Sequence, residues 1–188
     1  EALGNSLNIP AIRTVQFTGV GDFLDRLNDV GMESLDRNAG HYGEGLALGN
    51  GEVTLLELLR AYTVLARGGV FHPLRSTLSG KTTGRSRHRV YSREAAALIA
   101  DILSDPQARR LEFGSGNILR FPVQTAAKTG TSNDHRDAWA VGFNHRYTVG
   151  IWMGNLDGHP TGGITGSNGP ALLLRTIFSE LGRFEEAQ

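Results

Sequence analysis

The chain of 188 residues contains no cysteine. This absence excludes disulfide bonds, thiol nucleophiles and cysteine-based zinc sites, and it is compatible with either a reducing or an oxidising compartment. Long apolar runs are missing as well. The two best runs, 95–103 and 171–178, are much shorter than the roughly 18 residues of a membrane span, and Asp101 and Arg175 interrupt them. We therefore expect no membrane-spanning helix in this sequence.

An excess of charge of either sign is also absent. Lys and Arg together number 19, as do Asp and Glu. Because the charges balance, no net electrostatic field steers the chain toward nucleic acid. The basic run 85–89 is better explained as a solvated loop than as a nucleic-acid-binding patch. Asp134, His135 and Asp137 are close neighbours in sequence, so a surface loop explains them better than a metal site. The sequence predicts no nucleic-acid partner, no metal and no organic cofactor.

Lysine is scarce, because 2 of the 19 basic residues are lysines and 17 are arginines. Where arginine is so strongly preferred, a lysine within a motif of small residues indicates that a compact ammonium is needed rather than a planar guanidinium. Lys128, in the motif Ala127-Lys128-Thr129-Gly130-Thr131-Ser132, is therefore a candidate for site chemistry. The other lysine, Lys81, lies in a stretch that imitates the end of a phosphate-binding loop. Arg75 stands where the first glycine of such a loop should be, so we interpret that stretch as a linker.

The length of the chain suits one domain with a well-buried core, and its first half reads as helical. Thr54 and Glu57 form a capping box, and apolar residues at helical spacing follow until Gly68 and Gly69 end the helix. Between 75 and 90 the sequence turns polar and basic, which predicts an exposed linker or hairpin. Further helices are predicted after Pro10, over Phe23–Val30 and from Ser92 to Leu103.

The second half has the pattern of an antiparallel sheet. Two short apolar runs, 137–143 and 147–153, flank Asn144-His145-Arg146, which predicts a hairpin with Lys128 on an adjoining strand. Gly169-Pro170 opens a final helix that can cover this sheet. Helices followed by an antiparallel sheet and a covering helix predict the α+β class.

On a strand, Lys128 and Gly130 point to one side, and Thr129 and Thr131 point to the other. The missing side chain of Gly130 allows close approach of another backbone, and such an edge can pair with an extended peptide. The hydroxyls could bind a carboxylate and the amides could stabilise an oxyanion. A polar turn that precedes a hairpin is an equally good explanation of this motif taken alone.

Ser6-Leu7-Asn8 places a hydroxyl and an amide two residues apart. Alone it is best explained as a helix cap or a turn. However, Ser-x-x-Lys, Ser-Asp-Asn and Lys-Thr-Gly form a known set in penicillin-recognising enzymes. Two members of that set, in the form of Ser6-Leu7-Asn8 and Lys128-Thr129-Gly130, occur here in the right order.

Over most of its length the chain resembles the transpeptidase domain of the class A penicillin-binding proteins. The resemblance implies the fold that these proteins share with serine β-lactamases, an antiparallel sheet packed with helices. The segments that carry it are Ser6–Ala11, Val53–Glu57 with Ala61-Tyr62, Ala127–Ser132, Arg136–Phe143, Tyr147–Asn155 and Gly163–Gly166.

One departure from the family pattern matters more than any match. No serine is followed three residues later by lysine, because the residues three before Lys81 and Lys128 are Leu78 and Thr125. Thr125 has the right spacing, but that pairing needs a helix where the sequence favours a strand. We therefore expect the nucleophile upstream of Glu1. In this interpretation residues 1–188 are the C-terminal part of a transpeptidase domain whose N-terminal part is absent.

The resemblance implies roles for six residues. Ser6 would relay a proton to the leaving amine, Lys128 would keep the hydroxyl of Ser6 acidic, and Asn8 would orient the substrate. The remaining three, on the strand of Lys128, would bind the substrate carboxylate and the oxyanion: Thr129, Gly130 and Thr131.

The implied reaction is cross-linking of peptidoglycan stem peptides that end in D-Ala-D-Ala, through an acyl-enzyme that β-lactams intercept. The implied location is extracytoplasmic, at the periplasmic face of the inner membrane, with a membrane anchor and a glycosyltransferase domain elsewhere in the full-length protein and the missing part of the transpeptidase domain as a partner. This fragment alone is expected to be inactive. A D,D-carboxypeptidase, a serine β-lactamase and a non-catalytic penicillin-sensing or scaffold module remain alternatives.

Overall fold

A computed structural model describes residues 1–77, 85–114 and 118–186 of the chain. Their contacts divide them between two compact units, Ile12–Ala100 and Glu1–Ala11 with Asp101–Gln188. The helices are α1 (Asn8–Thr18), α2 (Val20–Asp29), α3 (Ala39–Tyr42), α4 (Leu55–Ala66), α5 (Arg93–Ser104), α6 (Arg110–Phe113) and α7 (Pro170–Glu186), with 3-10 turns at Gly43–Leu48 and Asn133–His135. The strands are β1 (Val70–Phe71), β2 (His88–Arg89), β3 (Ala126–Thr131), β4 (Asp137–Phe143) and β5 (Thr148–Gly154).

The unit formed by residues 12–100 is mainly helical. Its core is built from apolar side chains of α2, α4, β1 and the loops between them, and Val64 and Phe71 are each 1% exposed. The short strands β1 and β2 pair antiparallel beside this core. Helix α4 buries Ala61 and Val64 in this core, and Leu58 packs against it while partly exposed, so this unit is stabilised by ordinary hydrophobic burial.

Glu57 joins two parts of the same unit. Its carboxylate accepts hydrogen bonds from the amide and hydroxyl of Thr54, and Thr54 Oγ1 in turn accepts from the Glu57 amide, which confirms the predicted capping box. The carboxylate also accepts from the amide and hydroxyl of Ser34, at 2.7 to 2.9 Å. A single buried carboxylate therefore ties the first turn of α4 to the loop that follows α2.

The other unit is built on a three-stranded antiparallel sheet in the order β3-β4-β5. Lys128 pairs with Val141 across β3 and β4, and Trp139 pairs with Trp152 across β4 and β5. Helix α7 covers one face of the sheet, and its buried residues join side chains of all three strands in one core: Ala127, Ala140, Ile151, Ala171, Leu174 and Phe178.

The structure confirms most of the elements predicted from the sequence. Strands β4 and β5 form the expected hairpin, Lys128 lies on the adjoining strand, and α7 begins at Pro170. Ser92 caps α5, since its hydroxyl accepts a hydrogen bond from the amide of Ala95 at 3.0 Å. The observed architecture is α+β, as predicted.

The basic stretch 75–90 is described in part. Its end forms β2, and Arg85 in the same stretch donates a hydrogen bond to the carbonyl of Asn28. Residues 78–84, which include Lys81, lie outside the described residues.

In the described ranges, no helix has both the length and the apolar character that a membrane crossing requires.

We expect acid to weaken the fold through Glu57. Burial alone would raise the pKa of this carboxyl, but the hydrogen bonds from Thr54 and Ser34 outweigh burial and lower it from 4.5 to about 2. The unfolded chain therefore binds a proton before the folded chain does as the pH falls. This stability, on the order of 3 kcal/mol, is complete above pH 4.5 and is lost as the pH falls through about 2.

Urea unfolding followed by circular dichroism at pH 7, 4 and 3 tests this expectation. Glu57→Gln should lower the free energy of unfolding at pH 7 by about 2–3 kcal/mol and flatten its decline toward acid pH. Glu52→Gln, a change at an exposed residue near the start of the same helix, is the matched control. Equal acid dependence of the wild type and Glu57→Gln would contradict the assignment.

Candidate active site

Lys128 lies on a strand whose outer edge is open. Strand β3 pairs with β4 alone in the sheet, so its other edge carries no strand among the described residues. Successive side chains of a strand alternate between faces. Ala127 packs in the core that α7 completes, which places Thr129 and Thr131 on the α7 face and Lys128 on the opposite face.

A glycine-rich segment packs on the face that carries the two threonines. The amide of Gly166 donates a hydrogen bond to Thr131 Oγ1 at 3.0 Å. A side chain at Gly166 is excluded, because its Cβ would lie 2.8 Å from Thr129 Cβ and from the carbonyl oxygens of Gly130 and Trp139. Glycine at position 166 is therefore required for this segment to reach β3.

Ser6 closes a helix-like turn at the start of the chain. Its amide donates to the carbonyl of Leu3 at 3.2 Å, and the amide of Leu7 donates to the carbonyl of Ala2 at 3.1 Å. This pair of hydrogen bonds is the Schellman pattern, which places one residue in a left-handed conformation that glycine usually occupies. Ser6 occupies that position with φ of 53°. A serine thus stands where the backbone geometry favours glycine.

The two sequence motifs meet at Ser6 and Lys128, which are 122 positions apart. Lys128 Nζ donates a hydrogen bond to Ser6 Oγ and a second one, of 2.7 Å, to the carbonyl of Thr129. Ser6 therefore accepts from an ammonium group and keeps its own hydroxyl hydrogen for another acceptor. This contact joins the turn before α1 to strand β3.

The Ser6–Lys128 contact borders a small cavity that both polar and apolar side chains line. Its volume is about 10 Å³, and its lining includes Leu103, Phe113 and Leu119. Burial here lowers the pKa of Lys128 from 10.5 to about 8, with Glu112 acting to raise it and Arg109 to lower it. An ammonium with a lowered pKa beside a hydroxyl can transfer a proton near neutral pH.

Two further residues considered from the sequence, Asn8 and Thr125, lie outside the Ser6–Lys128 contact. Asn8 is exposed at the start of α1 and stands outside the Ser6–Lys128 contact. Thr125, which has the spacing of a nucleophile relative to Lys128, is 3% exposed, and its hydroxyl donates to the carbonyl of Val123. Lys128 is on a strand, so the helical pairing that Thr125 would need is not formed.

Sequence reasoning missed the segment 108–112, which lies beside the Ser6–Lys128 contact, and the asparagine that binds it. Arg109 is 2% exposed and lines the cavity, and Glu112 acts electrostatically on Lys128. Asn5 is equally buried and hydrogen-bonds to both ends of this segment. None of the three belongs to a motif, and a lone Asn or Arg carries no sequence signal of burial.

The acidic loop after β3 shows no sign of a metal centre. Asp134 pairs with Arg136, and Asp137 accepts a hydrogen bond from Trp152 Nε1 at 2.8 Å. Across the part of the chain that the structure describes, no group of three or more His, Asp or Glu residues is arranged to hold a metal ion.

Comparison with known proteins identifies homologues over nearly the whole chain. The chain is 35% identical over 177 residues to penicillin-binding protein 1C of Escherichia coli, and 29% identical over 176 residues to penicillin-binding protein 1B of Vibrio cholerae. These matches cover 94% and 89% of this chain but 22% of each relative. The chain thus spans about a fifth of the length of these relatives. No family model matches it.

Solved structures show the same fold. Penicillin-binding protein 1A of Haemophilus influenzae superposes with a TM-score of 0.69 at 24% identity, over 96% of this chain and 33% of that one. The D,D-transpeptidase domain of a peptidoglycan glycosyltransferase from Eggerthella lenta gives 0.65 at 18% identity, over 96% and 53%. These comparisons confirm the predicted fold, and the sequence matches confirm the resemblance to class A penicillin-binding proteins, including the 1C type.

Ser6→Gly should leave the chain more stable than Ser6→Ala. Both changes remove the hydroxyl, but glycine relieves the positive φ at a gain of about 1 kcal/mol, or about 2–4 °C in Tm. Thermal and urea unfolding measure the difference. Ser179, inside α7, is the matched control, because glycine there should be less stable than alanine. The same order of stability at both positions would contradict the observed turn.

Lys128 should titrate near pH 8, well below an ordinary lysine. The unfolded chain keeps this proton up to about 10.5, so the free energy of unfolding should rise between about pH 8 and 10.5. NMR of the chain with ¹³C-labelled lysine resolves two signals, and Lys81→Arg assigns them. Titration of both lysines near 10.5 would show that Lys128 is not buried as described.

Proposed function

Because this chain belongs to the penicillin-binding protein family, we propose that it forms the C-terminal part of a serine D,D-transpeptidase domain that cross-links peptidoglycan stem peptides. The observation that carries the proposal is the hydrogen bond between Lys128 Nζ and Ser6 Oγ. It joins the Ser-x-Asn and Lys-Thr-Gly motifs of penicillin-recognising enzymes at a partly buried site.

The proposed reaction is acyl transfer in two steps. A serine hydroxyl attacks the carbonyl between the two terminal D-alanines, its oxygen forms an ester with that carbon, and the peptide C–N bond breaks. The departing D-alanine takes a proton on its amine. The amine of a second stem then attacks the ester carbon, forms the new peptide bond as the bond to the serine oxygen breaks, and gives one of its own protons to that oxygen. Covalent catalysis divides one difficult step into two easier ones.

In this mechanism Ser6 and Lys128 move the proton. Ser6 Oγ accepts from the ammonium of Lys128, so its hydroxyl hydrogen points elsewhere and can pass to the leaving amine. Because the lowered pKa of Lys128, about 8, still lies above neutral pH, the ammonium stays mostly charged there but gives up a proton more readily than an ordinary lysine. Asn8, exposed two residues after Ser6, orients the substrate through its side-chain amide.

Strand β3 binds the substrate in this proposal. Its open edge accepts an extended stem peptide as an added strand, and Gly130 leaves room for close approach. Thr131 Oγ1 already accepts from the amide of Gly166, so its hydrogen is available for the substrate carboxylate, together with the hydroxyl of Thr129. The backbone amide of Thr131 supplies one donor to the oxyanion, and such donors contribute about 3 kcal/mol each.

The chain lacks a Ser-x-x-Lys motif. We therefore propose that the nucleophile and its base come from residues that precede Glu1 in the full-length protein, and that these 188 residues alone do not form an acyl-enzyme. The proposal extends to the whole protein: an extracytoplasmic enzyme with a membrane anchor and a glycosyltransferase domain, which acts on D-Ala-D-Ala stems and is acylated by β-lactams.

Covalent labelling with a fluorescent penicillin tests the proposal. A longer form of the protein that includes a Ser-x-x-Lys segment should take label, and the 188-residue chain should not. In the longer form, Lys128→Ala should slow labelling at least about a hundredfold, since proton transfer by a positioned group contributes that much. Ser6→Ala should slow it as well.

Lys81→Ala is the matched control, because it removes the only other lysine of this chain and should leave labelling unchanged. Near-normal labelling of Lys128→Ala would overturn the assignment of Lys128. Label on the short chain would show that the nucleophile lies within it. With a D-Ala-D-Ala donor and an amine acceptor, transfer supports the transpeptidase, whereas hydrolysis alone would indicate a carboxypeptidase.

A further inference from the structure

Asn5, the residue before Ser6, is anchored by all of its side-chain polar groups. Its Nδ2 donates to the carbonyls of Glu1 and Ala108, each at 2.8 Å, and its Oδ1 accepts from the amide of Glu112 at 3.0 Å. The residue is 2% exposed. An asparagine amide has two donor hydrogens, and both are used here. The side chain therefore fastens the turn that contains Ser6 to the segment 108–112.

Close packing reinforces this anchor. Gly4 lies against Ala108, and a Cβ on Gly4 would stand 2.4 Å from the carbonyl oxygen of Ala108. No L side chain fits at position 4 unless the two backbones separate. Gly4 and Asn5 thus hold the turn against the same segment, and both lie next to the carbonyl of Ala108.

The segment 108–112 also carries the charges that act on Lys128. Burial has the largest effect on the pKa of Lys128. Two charged groups act on it as well: Glu112 raises the pKa and Arg109 lowers it. Arg109 is itself held by a hydrogen bond to the carbonyl of Leu103, at the end of α5. One segment therefore sets both the place of Ser6 and the charge environment of its partner.

Ser6 needs such an anchor because its backbone conformation is unfavourable for serine. Without support, the turn can relax to a conformation that directs Ser6 Oγ away from Lys128. We propose that Asn5 is a positioning residue that holds Ser6 Oγ against Lys128 Nζ. The proposal rests on the proposed function only in that it treats this pair as the proton relay.

The titration of Lys128 in the 188-residue chain tests Asn5 directly. With ¹³C-labelled lysine and Lys81→Arg, Lys128 gives the single lysine signal. If Asn5→Ala releases the turn, water enters the cavity and the pKa of Lys128 should rise from about 8 by roughly one pH unit or more. Gly4→Ala, which separates the turn from Ala108, should raise it in the same direction.

Asn144→Ala is the matched control. Asn144 belongs to the same unit, and its side chain accepts from the amides of Arg146 and Tyr147 in the turn between β4 and β5. Loss of these bonds should leave the titration of Lys128 unchanged. A folded Asn5→Ala chain with the wild-type pKa would overturn the proposal. So would unfolding of both Asn5→Ala and Gly4→Ala, because the anchor would then serve folding rather than the position of Ser6.

Penicillin labelling of the longer protein separates this proposal from the proposed function. A raised Lys128 pKa in Asn5→Ala with slower labelling supports both. A raised pKa with normal labelling would retain Asn5 as the residue that positions the pair and would remove the pair from catalysis. An unchanged pKa, combined with slow labelling of Lys128→Ala, would retain the function and reject the role of Asn5.

Discussion

An ammonium group buried beside a small cavity is the constraint on which this site depends. Desolvation disfavours the charge of Lys128, and two hydrogen bonds, to Ser6 Oγ and to the carbonyl of Thr129, offset part of that penalty. The cavity is closed by residues from α5, α6 and β3. These elements must therefore keep their positions for the lysine to keep its lowered pKa, and the packing of this unit is part of its chemistry.

At Ser6 an unfavourable backbone conformation is combined with a hydroxyl that Lys128 contacts. Its turn has the hydrogen bonds of a Schellman motif, in which glycine at the left-handed position is the more stable choice. Glycine would remove the hydroxyl that Lys128 contacts. A strained residue persists where the surrounding structure determines its conformation, and Gly4 and Asn5 supply that surrounding structure here. The three side-chain hydrogen bonds of Asn5 thus help to offset the conformational penalty at Ser6.

The two faces of strand β3 have separate environments because side chains alternate along a strand. Lys128 Nζ contacts Ser6 on one face, whereas Thr129 and Thr131 lie on the face where Gly166 packs, and Thr129 also lines the cavity beside Lys128. Under the proposed function, proton transfer and carboxylate binding would use opposite faces of one strand, with the open edge between them for the substrate backbone. Gly166 is essential to this division, since any side chain there would collide with β3.

Local signals were enough to predict much of this protein. The capping box at Thr54 and Glu57, the hairpin of β4 and β5 and the strand of Lys128 follow from interactions between residues close in sequence, and the rarity of lysine singled out Lys128. The family resemblance implied that Ser6 acts with Lys128, and the structure shows their contact. Only the tertiary structure decided that Asn5 anchors the turn and that Gly166 packs on β3. Those contacts join residues 35 to 122 positions apart, and a lone Asn or Gly carries no pattern that reveals its distant partner.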